Sequence, residues 1–418
     1  MRFRAADVHS PEGDGFDRVR SAIPGCGTLP GMTPAVPALR LSSFYFAYYA
    51  VLGGFTPYWS LFLKDLGQSE AAIGVLMSLW YATRIVAPSS WNWLAARSPR
   101  PVRWLHIGCI ASLVSFCAFL LPLQFAGLFA AMCVFCFFHN ATMPQFEAIT
   151  LSHLHGVTER YGAIRLWGSL GFIAVVGLYG FLLDHIAVAW LPLLMLPLLA
   201  GTTASAFAND YGPAQRQPVA GGGSDLRERL RQPEIRAFFL ACLLVQISFG
   251  PLYTFFALYL EQHGYKPSVL GLFWVVGVAV EVVVFFVSPR LFLRVPAQTV
   301  LLFAIASAAL RWLATALFPE SVWVMTMAQL SHAINFAAFF AGAMQLMAQY
   351  FPGPLAGHGQ GVFYGFSSGV GGALGALIAG QAWRIGGGRL AFELAAGFAA
   401  IAALITWRWV RPPVAATR

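Results

Sequence analysis

Apolar stretches long enough to cross a membrane recur along this chain from Leu41 onward, with short polar turns between them. A helix that spans the hydrocarbon core of a bilayer needs about 20 apolar residues. Hydrophobic side chains make up 58% of the chain and charged side chains only 10%, whereas soluble domains carry roughly a quarter charged residues. The sequence therefore predicts a polytopic, all-α membrane protein. It excludes soluble enzymes, nucleic-acid binders and disulfide-stapled secreted modules.

The apolar stretches predict twelve transmembrane helices in two six-helix bundles. A polar segment at 209–234 divides the bundles, and its glycine-rich start followed by charged residues predicts a flexible cytoplasmic linker with a short amphipathic helix. We expect a disordered cytoplasmic tail at 1–40, bundles at 41–208 and 235–410, and a cytoplasmic tail at 411–418. The approximate spans are 41–63, 71–95, 104–122, 124–150, 163–184, 187–208, 235–261, 267–289, 297–317, 321–350, 358–383 and 390–410.

Positive charge is concentrated at alternate span boundaries, and nearly all of it is arginine. Cytoplasmic loops of membrane proteins carry an excess of Arg and Lys, so both termini are predicted to be cytoplasmic. The outer turn that contains Arg384 and Arg389 is the exception to the pattern. The net charge of +9 follows membrane topology in this way and does not predict a nucleic-acid partner.

The two halves repeat each other around their first hairpins. Gly67 and Gly74 in the first half have counterparts in Gly264 and Gly271, each 197 residues later. Parallel six-span repeats are typical of two-bundle transporters. The same register pairs Arg84 with Glu281, and we expect both to face an aqueous interior, although each could instead have a local partner.

Ionisable residues inside the spans are the main candidates for function, because each costs at least about 2.5–3.5 kcal/mol on insertion scales. Glu147 and Arg165 lie on helices joined by a short turn, so they can reach the same depth and form an ion pair. His332 and Asn335 share a helical face, and histidine is the side chain most easily titrated near neutral pH. The full set inside the spans is Arg84, Glu147, Arg165, Glu281, Arg311 and His332, with His139 and Asn140 beside them.

Aromatic residues line the first and seventh spans, including Tyr45, Tyr49 and Tyr253. Such stripes either pack against other helices and lipid or form the wall of a substrate cavity. The cysteines lie mostly in apolar runs without metal-ligand spacing, and the glycines of the eleventh span follow no strand. The sequence therefore predicts no cofactor and no metal.

The run Tyr161-Gly162-Ala163-Ile164-Arg165-Leu166-Trp167-Gly168 resembles a signature of proton-linked permeases of the major facilitator superfamily. Together with Phe55-Thr56-Pro57-Tyr58-Trp59-Ser60 it is most similar to the phenylpropionate permease branch, with nucleoside and lactose proton symporters as more distant relatives. The resemblance covers residues 41–410. It implies a transporter of the inner bacterial membrane that acts as a monomer.

The resemblance to lactose permease also implies roles for individual residues. Glu147 and Arg165 match the acid and the arginine that bind substrate in that relative and would contact the solute. Apart from the resemblance, we expect Asn140 and the tyrosines Tyr45, Tyr49 and Tyr253 to belong to the same site. Glu281, Arg311, His332 and Asn335 would serve proton coupling. Two departures leave the proton carrier open between Glu281 and Glu147: Asn335 stands where the relative has a glutamate, and the acid of the eighth span is displaced by about one turn.

The expected function is therefore a proton symporter that imports a small organic solute, such as an aromatic carboxylate, by alternating access. The expected partners are the solute, a proton and the lipid bilayer. The alternatives are a nucleoside or sugar symporter, an exporter of the same fold and, last, a membrane protein without transport activity. The chain contains no P-loop, zinc-spaced histidine cluster or serine or cysteine triad, so we expect no enzyme activity.

Overall fold

The computed structural model describes residues 36–154, 158–211, 223–292 and 294–411, and these residues form helices and turns with no strand among them. The predicted all-α fold is confirmed. Most of the predicted N-terminal tail and nearly all of the C-terminal tail lie outside the described residues. In the linker, the described part contains a short helix at Gly223–Arg229.

The helices of the first half follow the predicted spans closely. Leu121 has extended backbone geometry at the end of the third helical segment, which closes with a 3₁₀ turn at Cys117–Leu120. Pro57, Pro88 and Pro144 lie inside helices, as neighbouring helices permit in membrane proteins. The six helices are α1 Ala38–Asp65, α2 Glu70–Arg97, α3 Val102–Phe116, α4 Phe125–Leu154, α5 Thr158–Leu183 and α6 Leu191–Phe207.

The helices of the second half are less regular. The seventh bends between Ser248 and Gly250, and the tenth contains a π-helical turn at Ile334–Ala338. The last helical segment, Ala356–Trp409, contains another π-helical stretch at Phe363–Val370 and breaks at Gly386 and Gly387. We name these helices α7 Pro233–Gln262, α8 Pro267–Phe292, α9 Ala297–Leu317, α10 Val322–Tyr350, α11 356–385 and α12 388–409.

Ten helices among the described residues are long and apolar enough to cross a membrane. The helix α1 is not one of them, and the last of the ten is the segment that divides into α11 and α12. The multi-pass membrane fold is therefore confirmed, while the count of twelve crossings stays a prediction.

Aromatic packing accounts for part of the predicted stripe on α1. Phe55 and Trp59 stack with ring centroids 4.8 Å apart, and Trp59 lies 5.4 Å from Phe116 of α3. Both α1 rings are buried. These two residues therefore hold helices of the first half together, whereas Tyr49 on the same helix contacts a charged residue described below.

Two opposite sides of the bundle can be recognised from contacts at helix ends. The side chain of Asn209 at the end of α6 donates to the Arg40 carbonyl at the start of α1 (2.9 Å), and the Tyr350 hydroxyl at the end of α10 donates to the Arg411 carbonyl (2.7 Å). We call this side the terminal face. The turns at 66–69, 184–187, 263–266 and 318–321 lie on the opposite side, the distal face.

Two of the helix crossings that join the halves lie near the distal face and depend on glycine. A Cβ atom on Gly74 of α2 would lie 2.9 Å from the Cα of Gly380 in α11. A Cβ atom on Gly271 of α8 would lie 2.7 Å from the carbonyl oxygen of Val176 in α5. Gly74 and Gly271 are the glycines repeated in the sequence. Their shared role at the two crossings explains the repeat, because only glycine lets the backbones approach this closely.

The hydrogen bond and the ring contacts that join the halves within the described residues lie between the middle of the bundle and the distal face. Tyr81 of α2 and Tyr253 of α7 have ring centroids 6.5 Å apart, and Phe172 of α5 and Trp274 of α8 have centroids 6.0 Å apart. Asp184 and Ser268 form a hydrogen bond at the distal face itself. The protein is therefore closed toward the distal face.

Replacing both Gly74 and Gly271 with alanine should weaken this closure. The added methyl groups meet backbone atoms that cannot yield, and overpacking of this kind typically costs about 1–3 kcal/mol. Distance measurements between spin labels on the distal turns of the two halves should show a larger population of separated states. Gly201→Ala is the control, because a Cβ atom there meets nothing within 4 Å. An unchanged distance distribution in the double variant would contradict the assignment of these glycines to the closure.

Candidate functional site

The second half buries a cation in its interior. Arg311 of α9 is 3% exposed. One terminal nitrogen lies 2.8 Å from Nδ1 of His332 in α10, and the other donates to Oε1 of Gln329 at 3.2 Å. The guanidinium carbon also lies 4.4 Å from the centre of the Trp312 ring. Neutral acceptors and an aromatic face therefore surround this charge.

The contact with Arg311 determines the tautomer of His332. Arginine has only donors, so Nδ1 of the imidazole must accept. A neutral His332 then carries its hydrogen on Nε2, which lies 3.9 Å from Oε2 of Glu281 in α8. Three residues from three helices thus lie in series, with Arg311 and His332 in hydrogen-bond contact and the carboxyl group of Glu281 farther away at 3.9 Å.

Asn335 belongs to a separate group of contacts, although its spacing in the sequence predicts a position beside His332. Its amide donates to Oγ of Ser307 (2.6 Å) and to the Ala304 carbonyl (3.3 Å), both on α9. Its side-chain oxygen accepts from Ser331. Asn335 therefore ties α10 to α9 at the π-helical turn, a type of irregularity that occurs frequently at functional sites.

In the first half, tyrosines surround the predicted solute-binding charges. Arg165 of α5 donates to the hydroxyl of Tyr49 in α1, and its guanidinium carbon lies 4.1 Å from the Tyr49 ring centre and 5.4 Å from that of Tyr45. The hydroxyl of Tyr161 donates to Oε1 of Glu147 at 3.3 Å. Arg165 and Glu147 are therefore each hydrogen-bonded to the hydroxyl group of a different tyrosine.

The predicted direct ion pair between Glu147 and Arg165 is wrong. No nitrogen of Arg165 lies within 4.0 Å of a carboxylate oxygen of Glu147. The two charges do lie on neighbouring parts of α4 and α5, since Tyr161, one turn before Arg165 on α5, reaches Glu147. However, Tyr49 and Tyr161 take the hydrogen bonds that a direct pair would need, and rotamer choices of this kind are not visible in the spacing of the sequence.

Asn140 of α4 positions a second cation of the first half. Its amide nitrogen donates to the Trp80 carbonyl (2.8 Å) and to Oγ1 of Thr83 (2.9 Å) on α2, and its oxygen accepts from Nε of Arg84 at 3.3 Å. Asn140 is only 4% exposed. The structure therefore places Asn140 as a support for Arg84, and the predicted contact of Asn140 with solute stays a prediction.

The predicted charges of the two halves lie at a similar depth in the protein. Phe172 of α5 and Trp274 of α8 have ring centroids 6.0 Å apart. Arg165 lies two turns from Phe172 and Glu281 lies two turns from Trp274, in each case toward the terminal face. The structure thus places residues from both predicted groups, those for solute and those for proton coupling, at a similar depth.

Sequence reasoning missed two members of this region. Tyr161 belongs to the signature run, and it lies one turn before Arg165 on the same face of α5, a spacing that could have identified it as a partner. Trp274 lies two turns before Glu281 on α8. Its ring stacks on Tyr253 with centroids 5.8 Å apart and lies 6.1 Å from the His332 ring.

Sequence comparison identifies relatives that are transporters. Over 309 residues the chain is 28% identical to the probable 3-phenylpropionic acid transporter of Escherichia coli (strain K12). The aligned region covers 73% of this chain and 80% of that protein. Over 366 residues it is 29% identical to the maltose permease of Geobacillus stearothermophilus, covering 84% of this chain and 90% of that protein.

Solved structures share the fold at low sequence identity. The nucleoside transporter NupG superposes with a TM-score of 0.78 at 16% identity, covering 90% of this chain and 99% of that chain. A bacterial homologue of the human lysosomal transporter Spinster, in an inward-facing and unoccupied conformation, gives a TM-score of 0.72 at 17% identity, with 91% and 98% covered. At these identities the likeness shows the fold alone.

The family assignment rests on most of the chain. The model of the MFS_1-like family matches residues 38–394, which include the helices α1 to α11, the repeated glycines and all the charged residues of the site. The family and its relatives are transporters and not enzymes. This chain therefore belongs to the MFS_1-like family and is a multi-pass membrane transporter of the major facilitator type.

Proposed function

We propose that this transporter is a proton symporter that imports a small organic anion, most favourably an aromatic carboxylate, by alternating access. The observation that carries the proposal is the series Arg311–His332–Glu281, in which Arg311 contacts Nδ1 of His332 at 2.8 Å and Nε2 of His332 lies 3.9 Å from the Glu281 carboxyl group. In this proposal, Arg311, His332 and Glu281 provide the proton-binding site, and Arg165 binds the anionic solute.

Glu281 is the proposed proton carrier. Its carboxyl group is partly buried, and no arginine or lysine nitrogen lies within 4.0 Å of it among the described residues. An ionised carboxylate in that environment lacks the partner that offsets its desolvation, so binding a proton removes the cost. His332 is less suited, because Arg311 directs a donor at Nδ1 and leaves no place there for a second proton.

Arg165 is the proposed anion-binding residue. Guanidinium groups bind carboxylates through paired hydrogen bonds. Of its donors, Arg165 uses one for Tyr49, and no carboxylate of the described residues occupies the others. The rings of Tyr45 and Tyr49 lie beside the guanidinium and provide apolar surface for an aromatic ring of the solute. The relative named as a probable 3-phenylpropionic acid transporter supports the same solute class.

A neutral sugar is the second candidate, and a specific observation favours it. The maltose permease relative covers more of the chain than the phenylpropionic acid transporter does. Among the described residues Glu147 accepts one hydrogen bond, from Tyr161, and its remaining acceptor capacity suits sugar hydroxyl groups. A nucleoside symporter or an exporter would share this fold, but neither has a comparable contact in its favour among the described residues.

The direction in which the protein is open follows from the predicted topology. With both termini in the cytoplasm, the distal face is the outer side of the membrane. The protein is closed at that face, so the proposed state is inward-facing, with outward opening as the other half of the cycle. The pseudo-equivalent crossings of α2 with α11 and of α5 with α8 would open together.

Uptake into proteoliposomes distinguishes the candidate solutes. We expect phenylpropionate to accumulate when the outside is acidic and the inside neutral, and accumulation to collapse when a protonophore dissipates the gradient. Maltose and thymidine, tested in the same vesicles, should not accumulate. Accumulation of maltose and not of phenylpropionate would show that the substrate is a sugar and would contradict the anion proposal. Equilibration of the solute without accumulation would rule out symport.

The variant Glu281→Gln should separate exchange from net transport. Glutamine mimics the protonated carboxyl group but cannot release a proton, so solute-for-solute exchange should persist while gradient-driven accumulation falls at least about tenfold, equivalent to about 1.4 kcal/mol. Exchange and accumulation are measured with labelled solute in the same preparation. Glu320→Gln, which changes an exposed distal carboxylate, is the control. Full accumulation by the Glu281 variant would exclude it as the carrier.

The variant Arg165→Lys keeps the positive charge but removes the planar guanidinium group with its paired N–H donors. A lysine ammonium cannot make the same paired hydrogen bonds. The loss of one charge-assisted hydrogen bond costs about 1.5–3 kcal/mol, so we expect the KM for phenylpropionate to rise roughly tenfold or more. The amide analogue, phenylpropionamide, should show a smaller change. An equal change for the acid and the amide would contradict the role of Arg165 in recognising the carboxylate.

A further inference from the structure

We propose that Asp184 is a latch that holds the distal face closed, by capping the first turn of α8 from the opposite half of the protein. Oδ1 of Asp184, just beyond the end of α5, accepts a hydrogen bond from the backbone N–H of Ser268 at 3.0 Å. Within the described residues it is the one hydrogen bond that crosses between the halves. Its rupture is therefore a necessary step of distal opening.

The N-terminus of α8 needs a partner because its own sequence cannot supply one. The first-turn N–H groups of a helix have no acceptor within the helix and are usually capped by Ser, Thr, Asp or Asn. In the first half, Ser69 takes this role for α2 and accepts from the N–H of Ala72 at 3.3 Å. The residue 197 positions later is Lys266. A lysine side chain has no acceptor, so Asp184 supplies the side-chain acceptor that Lys266 cannot provide.

The charge of Asp184 strengthens this cap. The N-terminal end of a helix carries a partial positive charge, and a carboxylate there is more favourable than a neutral acceptor. Asp184 is exposed, so solvent screens the interaction. The expected effect on the equilibrium between closed and open states is roughly two- to fivefold, as for other exposed carboxylates at helix N-termini.

The latch lies at the tightest part of the crossing between α5 and α8. Gly180 is one turn before Asp184, and a Cβ atom there would meet the carbonyl oxygen of Pro267 at 2.7 Å. The Tyr58 hydroxyl donates to the Val176 carbonyl at 2.6 Å beside the same crossing. The packing brings the helix ends together, and the hydrogen bond adds a polar contact that any separation of the halves must break.

The pseudo-equivalent crossing of α2 with α11 has no such contact among the described residues. Glu70 at the start of α2 pairs with Lys64 of its own half at 2.6 Å. Closure is therefore asymmetric, with packing at both crossings and a latch only at one. The latched helices are those that carry Arg165 and Glu281, so the latch also constrains how these charges approach each other.

Spin-label distances across the crossing test the latch without any solute, so the result is independent of the proposed symport. Labels at cysteines replacing Ile186 and Gln262, both exposed, report distal opening in the full-length, otherwise cysteine-free protein in nanodiscs. We expect Asp184→Ala to raise the ratio of separated to closed states roughly two- to fivefold. Asp184→Asn, which keeps an acceptor, should give a smaller increase, and Asp184→Glu should restore most of the closure.

Two controls determine whether the effect belongs to the hydrogen bond. Glu261→Ala removes another exposed distal carboxylate and should leave the distance distribution unchanged. Raising the salt concentration from about 0.1 M to 1 M should shift the wild-type protein toward separation and leave Asp184→Ala unaffected, since the Debye length falls from about 10 Å to 3 Å. Identical distributions for wild type and Asp184→Ala, or equal effects of the Asp184 and Glu261 variants, would overturn the proposal.

Discussion

The burial of Arg311 without a carboxylate partner is the constraint on which the chemistry of the site depends. An unpaired buried charge costs several kcal/mol, and among the described residues His332, Gln329 and the ring of Trp312 offset that cost. Because arginine can only donate, it forces Nδ1 of His332 to accept, so a neutral His332 carries its hydrogen on Nε2, 3.9 Å from Oε2 of Glu281. This arrangement is the basis of the proposal that Glu281 is the group that exchanges a proton.

The second constraint is the close approach of the two halves at the distal face. Gly74 and Gly271 occur at the same place in each repeat and make the same kind of contact with the opposite half. The repeat is not complete, however, because Ser69 and Lys266 differ in their ability to cap a helix. Alternating access needs two closures of similar free energy, and small differences such as the Asp184 hydrogen bond are of a size that can bias that balance.

Much of the fold could be predicted from the sequence, because a bilayer imposes long apolar helices and permits few other arrangements. The charges at Arg84, Glu147, Arg165, Glu281, Arg311 and His332 could be located for the same reason: their cost in lipid makes them conspicuous. Their partners could not be predicted. Tyr49 and Tyr161 replace the expected Glu147–Arg165 pair, and Asn140 supports Arg84, since side-chain rotamers and helix rotation decide these contacts. The cap of Asp184 on Ser268 was invisible for a similar reason, because it depends on how two distant segments meet.

The most direct test of the account is the proton flux that accompanies solute entry. Phenylpropionate added to lightly buffered, de-energised proteoliposomes should cause the outer medium to become alkaline, with one proton taken up per solute molecule, and Glu281→Gln should abolish the signal. Entry of labelled phenylpropionate without any change in the external pH would contradict proton symport.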